Sequence, residues 1–236
     1  MEFNKQNKKS IQILFDEVAC NYDKLNNYMS FGLQKFIKLQ AVKNVIKKLD
    51  KKNIKILDLC SGTGDIALLF KKYLPDSEII GVDFSENMLK IAKNRASDIE
   101  FLKRDITDLG KEYPFLENNF DLCFISFGLR NLPDIDDFLN SVKYYLKPNG
   151  ILSVLDLGKP LFFMKPYFFL HYEVLIPLLA KIFNKNSSPY KYFIQSSKTY
   201  PAQKEMVKKL IRHGFKDVEN KNFSFGIISQ QIGFKK

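Results

Sequence analysis

The chain has 236 residues, 45% hydrophobic and 27% charged, a composition suited to a soluble globular protein with one large core. Its formal charge of +11 comes almost entirely from dispersed lysines, a pattern that fits a solvated basic surface better than a nucleic-acid-binding block. Cys20, Cys60 and Cys123 form no C-x-x-C pair, "MEFNKQNKKS" is not a secretory signal, and no unbroken apolar run of about 18 residues exists, so a zinc site, a disulfide framework and a membrane span are all excluded as expectations.

In chain order, 8–22 and 31–50 have helical periodicity and are expected to form an N-terminal helical lid within 1–50. From residue 54 the chain alternates. Apolar runs at 54–60, 78–83, 99–105, 120–127 and 150–157 read as strands, and the stretches between them place apolar residues three and four apart, as sheet-covering helices do. Ser85 and Asp134 read as helix starts, and "LKPNG" (146–150) as a helix stop followed by a turn. An aromatic-rich helical insertion over 160–198 follows strand 5; then come a helix near 201–213 and two last strands, "FKDVEN" and "FSFGIISQQIGF". This βαβ series predicts an α/β, doubly wound, mostly parallel seven-stranded sheet, in a single domain over 1–236.

Ligands of such sheets bind beyond the carboxyl ends of the strands. The first strand ends "LDLCSGTGD", setting Asp58, Gly62, Gly64 and Asp65 in a D-x-x-x-G-x-G-D arrangement, and the second ends in Asp83. Glycines let the backbone turn tightly against a ligand, and a carboxylate at the second strand's tip can accept both hydroxyls of a ribose. Asp105 and Ile106 then supply an acid and an apolar side chain where an adenine would lie. Two adenosine cofactors compete, because Gly62-x-Gly64-x-x-Ala67 followed by Asp83 also matches the dinucleotide fingerprint of an NAD-linked oxidoreductase. Asp65 argues against the dinucleotide, since a carboxylate at that helix N-terminus repels a pyrophosphate, whereas the sulfonium and ammonium of S-adenosylmethionine tolerate it. Helix capping is the plainer role for these acids.

"FDEVACNYDKLNNYMSFG" (15–32), "LDLCSGTGD", "ISFGLRNLPD" (125–134), "LKPNGILSVLDLGKP" and "SPYKYFIQSSKTYP" (188–201) together resemble the menaquinone/ubiquinone biosynthesis C-methyltransferase family over nearly the whole chain. The resemblance implies the class I, Rossmann-like fold, S-adenosylmethionine as cofactor, and methylation of a ring carbon of a polyprenylated quinol. It favours demethylmenaquinol, with the ubiquinone precursor as alternative. By position it assigns cofactor contacts to Thr63, Asp83, Asp105, Ile106 and Ser126. The chain departs from the family pattern at Gln34 and Ile37, where a His and a Trp are usual, and at Asp156 and Gly158, where a Glu and a Ser are usual.

Carbon methylation requires an ionised ring hydroxyl, so Arg130 is the expected phenolate stabiliser and Asn131 the group that orients the ring or a water. The plainer alternative pairs Arg130 with Asp134 or Asp136 and leaves Asn131 as a turn former. Tyr22, Tyr190 and Tyr192 are expected to contact the ring. Phe162, Phe163, Tyr167, Phe168, Phe169 and Tyr172 either line an apolar way in for the tail, with Lys159, Lys165, Lys181 and Lys185 at a lipid surface, or form a subdomain core. His171 and His213 lack metal-ligand spacing and a Ser or Cys partner. An RNA methyltransferase ranks below these readings, because an N-P-P-Y-like run is absent after the fourth strand, and a non-enzymatic adenosine-binding scaffold stays open. The expected setting is the cytoplasm, peripheral to the anionic inner face of a membrane, with homo-oligomerisation left open and no nucleic acid or metal as partner.

Overall fold

A computed structural model describes residues 8–107, 109, 116–170, 174, 178 and 188–236. The N-terminal segment folds as α1 (Lys8–Val18), a 3-10 turn at Ala19–Asn21, α2 (Tyr22–Met29) and α3 (Leu33–Ile46). The expected helix over 8–22 therefore breaks before Tyr22. Gly32, at φ +77°, caps α3 in the left-handed region that favours glycine.

Five strands then alternate with helices: β1 (Lys55–Leu59), α4 (Asp65–Tyr73), β2 (Glu78–Asp83), α5 (Glu86–Arg95), β3 (Glu100–Lys103), β4 (Phe120–Ser126), α6 (Ile135–Tyr145) and β5 (Leu146–Leu157). Ser85 caps α5 by accepting from the Met88 amide, and Asp134 caps α6 by accepting from the Asp136 and Asp137 amides. "LKPNG" is no free turn: β5 already starts at Leu146, the Phe120/Leu122 register shift absorbs the extra residues, and Asn149 takes φ +61°. Then follow α7 (Lys165–Leu170), α8 (Ser188–Thr199), α9 (Gln203–Arg212), β6 (Phe215–Phe223) and β7 (Ile228–Lys235). The expected strand "FSFGIISQQIGF" is cut by a 3-10 turn at Ser224–Gly226, so Phe223 ends one strand and Ile228 begins the next.

The sheet has seven strands in the order β3-β2-β1-β4-β5-β7-β6, with β7 antiparallel to both neighbours and all other pairs parallel. Side chains alternate through it, as a strand period of two requires. Ile56, Leu122 and Phe124 pack toward Ala41, Val45, Ala67 and Phe70 of α3 and α4, while Leu57, Leu59, Cys123 and Ile125 pack toward Phe138, Val142, Met206 and Leu210 of α6 and α9. Gln230, fully buried on β7, donates to the Ala41 carbonyl (2.9 Å) and Ser153 Oγ (3.0 Å) and accepts from Asn44 Nδ2 (3.0 Å), tying α3 to the sheet. Strand order reverses beside β1 and β4, so their carboxyl ends open the crevice where the site lies.

Candidate active site

The β1–α4 loop forms the floor of a cavity. Cys60, Gly62 and Gly64 all take positive φ, at +55°, +54° and +83°. A Cβ on Gly64 would meet Ala92 and Phe101 at 3.2 Å, whereas one on Gly62, which lines the cavity, would meet nothing within 4 Å. Asp83 ends β2, where its Oδ2 accepts from the Gly62 amide and its Oδ1 from the Ser85 amide, both at 2.9 Å. Burial pushes its pKa up to about 6 in spite of these amides. Asp83, Asp105, Ile106 and Ser126 share the cavity wall with Gly62.

Three other expected cofactor residues stand off this wall. Gly64 is packed against α5 and β3; Thr63 is buried, and its hydroxyl donates to Asp23 Oδ1 at 2.9 Å. Asp58 lies buried on β1, with neither carboxylate oxygen in hydrogen-bonding geometry to a donor among the described residues. Burial pushes its pKa up to about 8, opposed by the Lys38 charge and the Ala67 amide dipole. Buried carboxylates without donors are costly, so this one suits a cationic ligand close by. Ser126 Oγ likewise has no partner among the described residues.

Asp65 does not carry the discrimination against a dinucleotide that the sequence suggested. Lys38 Nζ stands 3.0 Å and Arg95 Nη2 2.7 Å from its carboxylate, so its charge is balanced. Burial raises its pKa, but the two cations pull it below the ordinary value.

The N-terminal helices close the cavity from above. Lys8 pairs with Asp105 (2.8 Å), Gln12 donates to the Phe84 carbonyl (3.1 Å), and Asp16 accepts from Ser85 Oγ (2.5 Å) and the Asn87 amide (3.2 Å). Asp105 is thus engaged on both oxygens, since Oδ1 also accepts from the Thr107 amide and hydroxyl. Asp23 joins Thr63 to Arg95, whose Nη1 is 3.2 Å away. Phe15 packs edge-on against Tyr22 and Phe84, at 6.2 and 6.1 Å between centroids. The contacts of Phe15 and Asp23 escape sequence reasoning; a seven-residue spacing of Phe15 and Tyr22 reads as one helical face, but the chain breaks between them at Ala19–Asn21.

The loop after β4 is the partition between this cavity and two others. Gly128 is required there, because a Cβ would come within 2.5 Å of Cys60 Cβ. A larger, mostly apolar cavity lies on the far side, lined by Phe127, Arg130, Ile37, Phe168, Phe193 and Ile228 among others, with Gln34 on its wall. A third, smaller one is lined by Arg130, Asn131, Tyr192 and Leu25. Tyr22 borders all three.

Arg130 is buried, and its partner is neither Asp134, which caps α6, nor Asp136, which pairs with Lys209. Its Nη1 donates to Asp156 Oδ1 (2.8 Å) and the Phe127 carbonyl (2.6 Å), while its amide donates to Asp156 Oδ2 (3.1 Å). The guanidinium sits over the Phe127 and Phe193 rings, 5.8 and 5.3 Å from their centroids. Asp156 is brought beside it by the β4–β5 register, which pairs Ser126 with Leu155. Asn131 Nδ2 is 3.4 Å from the Phe127 carbonyl. Tyr192 is buried, which pushes its pKa up to about 12.

The insertion divides. Tyr167 and Phe168 line the apolar cavity, whereas Phe162, Phe163 and Phe169 are exposed, so no core encloses these three. His171, Tyr172, Lys181 and Lys185 and the side chains of Lys165 and Tyr190 lie outside the described residues. His213 Nδ1 lies 2.8 Å from the Lys209 carbonyl at the end of α9. Gly158 cannot be the family's usual Ser here, since a Cβ would stand 2.5 Å from the Gly226 carbonyl oxygen.

A solved S-adenosylmethionine-dependent methyltransferase of Thermotoga maritima superposes with a TM-score of 0.68 at 19% identity, covering 94% of this chain and 99% of that one. The sheet order, the glycine turn and the acid-tipped second strand thus define a class I S-adenosylmethionine-dependent methyltransferase, and Asp83, the donor-free Asp58 and the open face of Gly62 fit that cofactor's ribose and positive charge. The model of the ubiE/COQ5 methyltransferase family matches residues 2–235. The demethylmenaquinone methyltransferase of Staphylococcus carnosus is 36% identical over 242 residues, and that of Staphylococcus aureus strain JH9 34% over 238, each match covering 100% of this chain and 97% of the relative. The chain belongs to the ubiE/COQ5 methyltransferase family.

Proposed function

We propose that this enzyme transfers the methyl group of S-adenosylmethionine to a ring carbon of demethylmenaquinol, giving menaquinol. One observation carries the reading beyond the names of the relatives: the cofactor cavity and the large apolar cavity meet at a shared wall of Tyr22 and Phe127. A quinol ring at that wall would lie beside the cofactor while its prenyl tail lay among Ile37, Phe168, Phe193 and Ile228.

Bound cofactor supplies an electrophilic methyl on a sulfonium. Asp83 holds the ribose hydroxyls, Asp105 and Ile106 border the adenine, and Ser126 and the backbone of Gly62 complete the cradle. Asp58 balances positive charge from behind the loop, while Thr63 and Gly64 act indirectly by fixing the loop's shape. With a phenolic pKa of about 10, ionising the ring hydroxyl near neutral pH costs roughly 4 kcal/mol. Arg130 stabilises that oxygen. Because Asp156 already balances its charge, it acts as a directed donor in a dry pocket, worth roughly 1.5–3 kcal/mol. Asn131, on the border of the cofactor cavity, orients the ring or a water that relays the hydroxyl proton to a carboxylate; once the methyl is attached the ring carbon gives up its hydrogen as a proton, and Tyr22 and Tyr192 confine the ring.

The chain works as one unit, with 1–50 as lid and 160–198 as acceptor-side insertion, and it meets its substrate in the cytoplasm at an anionic membrane surface. The test is mass spectrometry of the purified protein with S-adenosylmethionine and reduced demethylmenaquinone in detergent, with the reduced ubiquinone precursor in parallel. A 14 Da gain on the naphthoquinol ring, about the mass of one methylene, is expected. A gain only on the ubiquinone precursor would reassign the acceptor, and no gain on either would sink the reading.

A further inference from the structure

The mouth of the apolar cavity is ringed by exposed apolar side chains drawn from three separate segments. Phe31 (64% exposed) comes from the turn before α3 and Leu33 (50%) from its first residue, Phe162 (80%) and Phe163 (53%) from the insertion, and Phe225 (60%) from the β6–β7 turn. Phe31, Leu33 and Phe225 line the cavity itself, and the Phe163 ring packs edge-on against both Phe162 (5.7 Å) and Phe225 (5.8 Å), so the rim is continuous with the interior. Exposed aromatic patches of this kind mark interaction surfaces.

Charge identifies the occupant. The rim segments 24–37, 157–170 and 221–228 hold no carboxylate, although the whole chain has 26 acidic residues, while Lys38, Lys43, Lys48 and Lys235 are engaged away from the rim by Asp65, the Tyr73 ring, Glu219 and the Leu146 carbonyl. The segments that build this face are therefore free of acids, and Lys35 is exposed between Leu33 and Phe36 (57% exposed). An acid-free aromatic rim beside an exposed lysine suits the interface of an anionic bilayer. A second copy suits it poorly, because a two-fold interface would set lysine against lysine.

We propose that this face docks on an anionic phospholipid bilayer with the cavity mouth turned toward the lipid, so that the prenyl tail passes from bilayer to protein without crossing water. This rests on the prenylated acceptor proposed above.

The test measures partitioning onto vesicles of phosphatidylcholine mixed with phosphatidylglycerol, and onto phosphatidylcholine alone. It compares wild type, the double variant Phe162→Ser/Phe163→Ser and the variant Lys35→Glu, none of which alters a cavity-lining side chain. The double variant is expected to bind mixed vesicles at least roughly tenfold more weakly. Lys35→Glu should bind them roughly tenfold more weakly with no change on neutral vesicles. Methyl transfer to a short-tailed soluble demethylnaphthoquinol should persist in both, which also reports that they fold. Wild-type-like binding by both variants would overturn the assignment of the face. So would a wild-type dimer that the double variant dissociates. Failure of the wild type to bind any vesicle would overturn membrane docking altogether, while failure on the soluble acceptor would fall on the proposed reaction instead.

Discussion

Asp58 turns a buried carboxylate into a measurable proton. With a folded pKa near 8 against about 3.9 when unfolded, it is protonated in the ligand-free protein at pH 7, and a cation bound nearby displaces that proton. Calorimetry at pH 7 in buffers of different ionisation heat should show close to one proton released per cofactor bound, and Asp58→Asn should abolish the release. The sign for stability runs the same way: the raised pKa favours the folded state below about pH 4, and that contribution is lost as pH rises toward 8. The ligand-free Asp58→Asn protein should therefore gain stability over wild type as pH rises through this window, as read by thermal melts at pH 5 and 8. Asp83, with its pKa near 6, adds a second dependence: cofactor affinity should fall by up to about tenfold per unit below pH 6, measured by titration at pH 5 and 7.5. The Arg130–Asp156 pair makes the third case. Asp156→Asn leaves a buried guanidinium without its counter-charge, at an expected cost of about 3–5 kcal/mol in denaturant unfolding; a loss below about 1 kcal/mol would mean that the guanidinium finds water.

At the level of elements, the sequence announced what is decided locally and missed what is decided at a distance. Ser85 and Asp134 were readable as caps because an oxygen three residues before a helical stripe has one obvious use. Asp134→Ala should accordingly cost about 1 kcal/mol in chemical denaturation with turnover little changed. Asp83 and Gly62 were readable because strand-tip positions follow from periodicity alone. The partner of Arg130 was not, since Asp134 and Asp136 are close in sequence while Asp156 is reached only through the β4–β5 register. The Thr63–Asp23 contact spans 40 residues and was hidden for the same reason. Where local and global signals conflict, as in "LKPNG", strand pairing overrode the turn, and the conflict survives as a bulge and a positive φ at Asn149.

For the molecule as a whole, the N-terminal helices are held over the cavity by separate polar clasps, Lys8 to Asp105, Gln12 to Phe84, Asp16 to Ser85 and Asp23 to Thr63. Cofactor exchange must loosen several of them together. β7 has a different consequence. It lies between β5 and β6 although it follows both in the chain. A nascent chain emerging from the ribosome therefore presents the bare edge of β5, a long apolar strand, until Ile228–Lys235 has been made. A premature stop before Ile228 would leave β6 with no neighbour to join and β5 open to pairing with other chains, so losing only the last nine residues should send the protein to aggregates or proteases.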